Sequence, residues 1–148
     1  MKVFVIAVLA AACSLPAFAV LGEDVSSVQA DRVHSNASMR VTPARNYTIH
    51  ELRSATGVLV REYSSASGKV FAVSWQGPTI PDLQQLLGSY FEEFQQAAQS
   101  QNRPGGHSPL IIQHPGFVVE LGGHMRSFVG RAYLADQMPP EVSKQEIR

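Results

Sequence analysis

The sequence predicts an α+β domain: an antiparallel sheet of five to six strands in βββ-α-βββ order, with one amphipathic helix packed across it. Three observations carry that expectation. Runs of β-branched and aromatic residues at 47–52, 58–64 and 69–76 are punctuated by Gly57 and by Ser65-Ala66-Ser67-Gly68. Leu83, Leu86, Leu87, Tyr90, Phe91 and Phe94 then recur with a 3.6-residue period. A second strand-rich region, 110–134, follows a Gly/Pro-rich stretch at 100–109.

Taken in chain order, residues 1–19 read as a cleavable secretory signal. Lys2 supplies the positive start, residues 3–12 an uncharged apolar core, and Pro16 a helix break. Ala17-Phe18-Ala19 places small residues where a signal peptidase selects them, so Val20 becomes the new N-terminus. Two alternatives compete: an uncleaved anchor, since apolar sequence continues to Leu21, and lipidation of Cys13. Pro16 and the small alanines weaken the first. The second lacks a bulky residue three places before the cysteine.

Cleavage leaves 129 of the 148 residues, the size of one domain. It removes Cys13, the one cysteine, so the mature chain is disulfide-free and rests on packing alone. It also removes Lys2, turning a balance of twelve basic and twelve acidic residues slightly negative. No basic run marks a nucleic-acid partner, and no stable membrane span remains after cleavage.

The mature chain divides into a short helix with a connector (20–46), the α+β domain (47–134) and an irregular tail (135–148). Val25, Val28 and Arg32 mark the short helix, and Pro43 the connector. In the third strand run Phe71, Val73 and Trp75 alternate onto a core face. The main helix follows, with Thr79 and Asp82 spaced as a capping box. In the second half, Gly122-Gly123 suits a two-residue hairpin turn that needs positive φ. That register sets Leu121 opposite His124, Val119 opposite Arg126 and Phe117 opposite Phe128. Phe117, Val119, Leu121, Phe128, Ala132 and Leu134 then share an apolar face, and Gly130 marks a bulge.

No catalytic motif stands out. His50-Glu51 lacks a second histidine one helical turn on, and on a strand the two side chains diverge. Polar cross-strand pairing among His50, Glu51, Arg61 and Glu62 is the expected role. His34, His50, His107, His114 and His124 are scattered, so no metal site and no cofactor are expected. His107-Ser108 has no nucleophile elbow around it. Glu51, Glu62, Glu120 and Asp82 could supply a carboxylate pair, but sequence does not place them. Arg126 attracts attention because the proposed register sets a charge on an apolar face. It reads either as an edge residue that snorkels or as an anion clamp with Arg131 or Arg61. Arg126, Trp75 and Arg131 are thus the candidate ligand residues.

Several segments together resemble a known family. They are Tyr47-Thr48-Ile49-His50-Glu51, Val60-Arg61-Glu62-Tyr63, Val70-Phe71-Ala72-Val73-Ser74-Trp75-Gln76-Gly77-Pro78, Pro81-Asp82-Leu83, Leu87-Gly88-Ser89-Tyr90-Phe91 and Met125-Arg126-Ser127-Phe128-Val129-Gly130-Arg131-Ala132. The family is a bacterial exported one, typical of proteobacteria and known as a domain of unknown function. The resemblance implies a location in the envelope and implies no activity, cofactor or catalytic residue.

The expected function is a non-enzymatic periplasmic or secreted module that binds an envelope protein or peptide. Small-molecule or anion binding in a helix–sheet crevice, by Arg126 and Trp75, is the second reading. A hydrolase assembled from distant segments is the third, and a pocket holding two mutually perturbed ionisable groups is its signature.

Overall fold

A computed structural model of the chain describes residues 20–101 and 109–148. The signal segment, with Cys13 and the cleavage residues Ala17 and Ala19, lies outside the described residues, as do Gly105-Gly106, His107 and Ser108.

The elements run α1 (Ser26–His34), β1 (Ser38–Pro43), β2 (Tyr47–Arg53), β3 (Leu59–Ser65), β4 (Val70–Gly77), α2 (Leu83–Leu87), a 3-10 turn (Gly88–Tyr90), α3 (Phe91–Ser100), β5 (Leu110–His114), β6 (Phe117–His124), β7 (Ser127–Leu134) and a second 3-10 turn (Ala135–Gln137). The α+β class and antiparallel sheet agree with the expectation. The strand number does not: seven strands form one sheet in the order β1-β2-β3-β4-β7-β6-β5. The extra strand is β1, which lies in the stretch expected to be a connector. Its six residues are all exposed, so no apolar alternation marks it. It forms because Met39, Arg40 and Val41 pair with Leu52, Glu51 and His50 of β2.

The main helix is also broken. Gly88 adopts φ 54 and ψ −122, which ends α2 after five residues. The 3-10 turn and α3 then continue the apolar stripe, with Leu86, Leu87 and Phe94 buried. The cap is Asp82 itself, not Thr79: its side chain accepts a hydrogen bond from the Gln85 N–H at 3.1 Å.

Val28, the N-terminal Val20 and Leu21, and the α2–α3 stripe cover one sheet face. From the sheet they meet Leu52, Val73, Trp75, Leu110, Ile112, Phe117, Val119, Ala132 and Leu134. The opposite face is covered by the C-terminal segment, whose Val142 and Ile147 bury against Tyr63, Phe71, Ala72 and Tyr133. A bulge in β4 decides which face two of these residues take. Tyr63 pairs with Ala72 and Ser64 with Val70, so Phe71 is the extra residue. Val70 therefore joins the helix-side core and Phe71 the tail-side core.

The last hairpin turns later than Gly122-Gly123 predicts. Its two-residue turn is Met125-Arg126, with Gly123 opposite Phe128, Leu121 opposite Gly130 and Val119 opposite Ala132. The shift is an even number of residues, so the residues that remain in the strands keep their expected faces, and Arg126, now in the turn, does not. Gly130 is not at a bulge, since β7 pairs in unbroken register with β4 and β6. A Cβ on Gly130 would sit 2.3 Å from the Trp75 indole, its direct neighbour on β4. Glycine stands there because the indole fills that space.

Candidate functional site

The seven-strand register aligns one row across the tail-facing side, polar except at its end: Arg40, Glu51, Arg61, Ser74, Arg131, Glu120 and Ile111. Two ion pairs form along it. Arg61 Nε donates to Glu51 Oε1 at 2.8 Å, and Arg131 Nη2 to Glu120 Oε2 at 2.5 Å. The expected cross-strand pairing thus holds for Glu51 with Arg61. His50 and Glu62 are also opposite each other, on the helix side, but no bond joins them; His50 instead hydrogen-bonds Ser64 across the strands at 3.1 Å.

Each arginine also donates to the C-terminal segment. Arg61 Nη1 donates to the main-chain oxygen of Arg148 at 2.8 Å, an oxygen that also accepts from the Tyr63 hydroxyl at 3.0 Å. Arg131 Nη1 donates to the main-chain oxygens of Lys144 and Ile147, at 2.7 and 3.3 Å. Its Nε adds a second bond to Glu120 Oε2 at 2.9 Å. A guanidinium carries five N–H donors, and these contacts occupy most of them. Arg131 is a fastening for the tail and has little left to offer an anion.

Where the tail ends its course, a cleft of about 540 Å³ opens over β4, β7, β6 and β5. Ile111, Leu121, Val129 and Ile147 supply its apolar lining, and Glu120, Arg131, Gln76 and Arg148 its polar groups. Trp75 borders it beside Gly130, although its indole packs in the helix-side core and is only 2% exposed. Ile111 and Val129 are each about half exposed, at 48% and 47%. The cleft lies between sheet and tail, not in a helix–sheet crevice.

Two of the three candidate ligand residues, Trp75 and Arg131, therefore share one cleft. Arg126 does not. It sits in the β6–β7 turn with φ 68, exposed, in a separate depression that Arg53 and Phe128 also line. The later turn is the physical reason: Arg126 joins the two strands instead of lying on either face.

The helix side holds a different feature. Asp31 of α1 and Glu62 of β3 are both buried and line one small cavity of about 60 Å³. Asp31 Oδ1 accepts a hydrogen bond from Gln85 of α2. Asp31 Oδ2 and both Glu62 oxygens are closed to solvent, and apart from the hydrogen bond the two carboxyls share no described group bonds them. Burial pushes the Glu62 carboxyl well above its ordinary range, and the neighbouring charge of Asp31 and a hydrogen bond to it add to the effect. Burial also raises Asp31, against the opposing hydrogen bond from Gln85. Burial lowers His50.

Sequence reasoning named Glu62 but missed Asp31 and Gln85. Asp31 lies three residues after Val28, on the buried face of the short helix, and that spacing was its signal. Among the described residues, no group of three or more His, Cys, Asp or Glu side chains converges on one point. Among them too, no helix is long and apolar enough to cross a membrane.

Residues 17–147 match the family described as Protein of unknown function (DUF2844). The chain belongs to this family. The match covers nearly the whole chain, including both ion pairs, the Asp31–Glu62 pair and the cleft apart from Arg148. No curated protein and no solved structure shows a significant match.

Proposed function

We propose that this DUF2844 protein is an exported, non-catalytic binding module whose site is the cleft between the sheet and the C-terminal segment. The carrying observation is the cleft itself: about 540 Å³, lined mainly by aliphatic side chains with a fixed ion pair at its side. That volume lies within the range of small-molecule sites, which are mostly apolar with a few placed polar groups. Because Arg131 is already engaged, the favoured ligand is a mainly apolar molecule rather than a free anion. Thermal-shift screening of apolar metabolites tests this reading, since a ligand of the native state raises the melting temperature. V129E places a charge on the exposed lining and abolishes a genuine shift. No saturable shift from any compound, or one that V129E leaves intact, refutes the cleft as the site.

Strand addition by a peptide is the second reading, favoured by one observation. β1 is an edge strand exposed along its whole length, with Val41 about half exposed. Peptide binding there perturbs the amide signals of residues 38–43 and spares the cleft, which separates the two. A hydrolase reading rests on the Asp31–Glu62 pair. A cavity of about 60 Å³ has room for a few waters, not for a substrate beside them.

Export rests on the tripartite composition of residues 1–19. Replacing Ala19 by a bulky charged residue leaves an uncleaved precursor. Normal maturation of that variant rejects export by cleavage.

A further inference from the structure

The cleft has a neighbour of opposite character. Its own lining is mainly apolar, with Ile111, Val129 and Ile147 at its centre. The depression that holds Arg126 is mainly polar and measures about 370 Å³. Gln76 and Val129 line both, and these two residues pair directly across β4 and β7, so cleft and depression meet above them. Arg53, Gln76 and Val129 stand two residues along their strands from Glu51, Ser74 and Arg131, which keeps them on the same tail-facing side.

The polar end carries uncompensated positive charge. Arg53 and Arg126 both line the depression, and both are exposed. The two ion pairs among the described residues involve neither. No Asp or Glu lines the depression, and Ser127 adds a hydroxyl to it. The acidic groups closest by register are committed: Glu51 to Arg61, and Glu120 to Arg131. The backbone gives an independent sign. Arg126 holds φ 68, a left-handed conformation that glycine or asparagine adopts more readily. Such strain persists where the side chain is needed, and it clusters at ligand sites.

We propose that cleft and depression form one site for a free amphiphilic anion, with its oxyanion head group held by Arg53 and Arg126 and its aliphatic chain laid over Val129 into the cleft.

This rests on the cleft reading above and names the class of its ligand. Guanidinium groups match carboxylate and phosphate oxygens in charge and in geometry. Two exposed arginines hold a small free anion only weakly, because both partners stay hydrated and salt screens them. The chain therefore supplies most of the affinity by leaving water, and the head group fixes the orientation. The length is suitable. From Gln76 on β4 to Ile111 on β5 the path crosses three strand spacings, about 14 Å, the reach of an extended aliphatic chain of medium length. The engaged donors of Arg131 leave the head group to the other two arginines.

The test is calorimetric titration of the purified protein with monomeric decanoate, with decanol as the uncharged analogue and acetate as the head group alone. Decanoate should bind at one site, roughly tenfold or more tightly than decanol, and acetate should not bind measurably. Added NaCl should narrow the gap between decanoate and decanol, a readout that needs no variant. The double variant R53Q/R126Q alters only exposed side chains, and it should bring decanoate down to the level of decanol while leaving decanol unchanged. V129E should abolish both. Equal binding of decanoate and decanol by the wild type overturns the proposal and leaves the cleft reading standing. A preference for decanoate that survives R53Q/R126Q, or decanoate binding that survives V129E, overturns it too. So does binding to phosphatidylglycerol vesicles without binding of monomeric decanoate, which would point to a membrane surface instead. Binding of neither compound overturns it as well, and the cleft reading is lost with it only if the wider screen is also empty.

Discussion

Replacing Gly130 with alanine probes the contact that shapes the wall of the cleft. The new Cβ would lie 2.3, 2.4 and 2.8 Å from three atoms of the Trp75 indole. Ordinary contact begins near 3.4 Å, so the ring must retreat by about 1 Å. Trp75 is 2% exposed and packed in the helix-side core, so a retreat displaces other core residues. Overpacking of this kind costs roughly 1–3 kcal/mol, and relieving a strand of glycine returns about 0.5–1. The expected net loss for G130A is about 1–2 kcal/mol. W75F removes the atoms that clash, together with an indole N–H that has no partner among the described residues. In that background G130A should cost almost nothing. The assay is urea unfolding followed by far-UV circular dichroism, because W75F removes the one tryptophan. A coupling of at least about 1 kcal/mol between the two substitutions is expected. Additivity within about 0.5 kcal/mol would show that the indole does not occupy the space above Gly130.

The buried carboxyl pair predicts an unusual pH profile. In the unfolded chain Glu62 loses its proton near the ordinary value of 4.5, whereas in the fold it keeps it to well above that. The native state therefore binds more protons in between, and stability falls as pH rises from about 4.5, by up to about 1.4 kcal/mol per unit, then levels off. Urea unfolding across pH 4–9 in chelator buffer measures this, and E62Q should flatten the decline. A wild-type profile that rises through the window contradicts it. On the other face, R131M should loosen the tail: losing charge-assisted bonds to Glu120, Lys144 and Ile147 costs about 1–3 kcal/mol, and the pair is only partly screened at about a quarter exposure. Hydrogen exchange at residues 142–148 should accelerate ahead of the sheet; unchanged protection there would count against the fastening role. R126G should stabilise by about 1 kcal/mol, because Arg126 holds a left-handed φ of 68 that glycine adopts without strain. A loss of stability in R126G would point to an unrecognised contact of the arginine.

Local pattern was enough to place most of β2, β3, β4, β6 and β7 and the apolar stripe of α2 and α3. Period-2 and period-3.6 repeats record which side of an element is dry, and that is a local property. It explains why Phe117, Val119, Ala132 and Leu134 were assigned to the right face even though the hairpin register was wrong. β1 escaped because none of its residues is buried, so nothing in its composition distinguishes it from a connector. The turn escaped because Gly122-Gly123 carries a strong local signal. Pairing of β7 with β4 as well as β6 carries the strand on to His124, and the turn falls on Met125-Arg126.

What the sequence by itself determined, then, is the α+β class, the facing of the main strands and helix, and membership of a family without an assigned activity. Tertiary structure decided everything that depends on residues far apart in the chain. It set Arg126 apart from Trp75 and Arg131, which line one cleft. It spent the donors of Arg131 on the tail and set Asp31 beside Glu62. The reason is physical: periodicity reports how one element meets water, whereas a site is made where elements meet each other. Their pairing is set by the packing of the whole sheet.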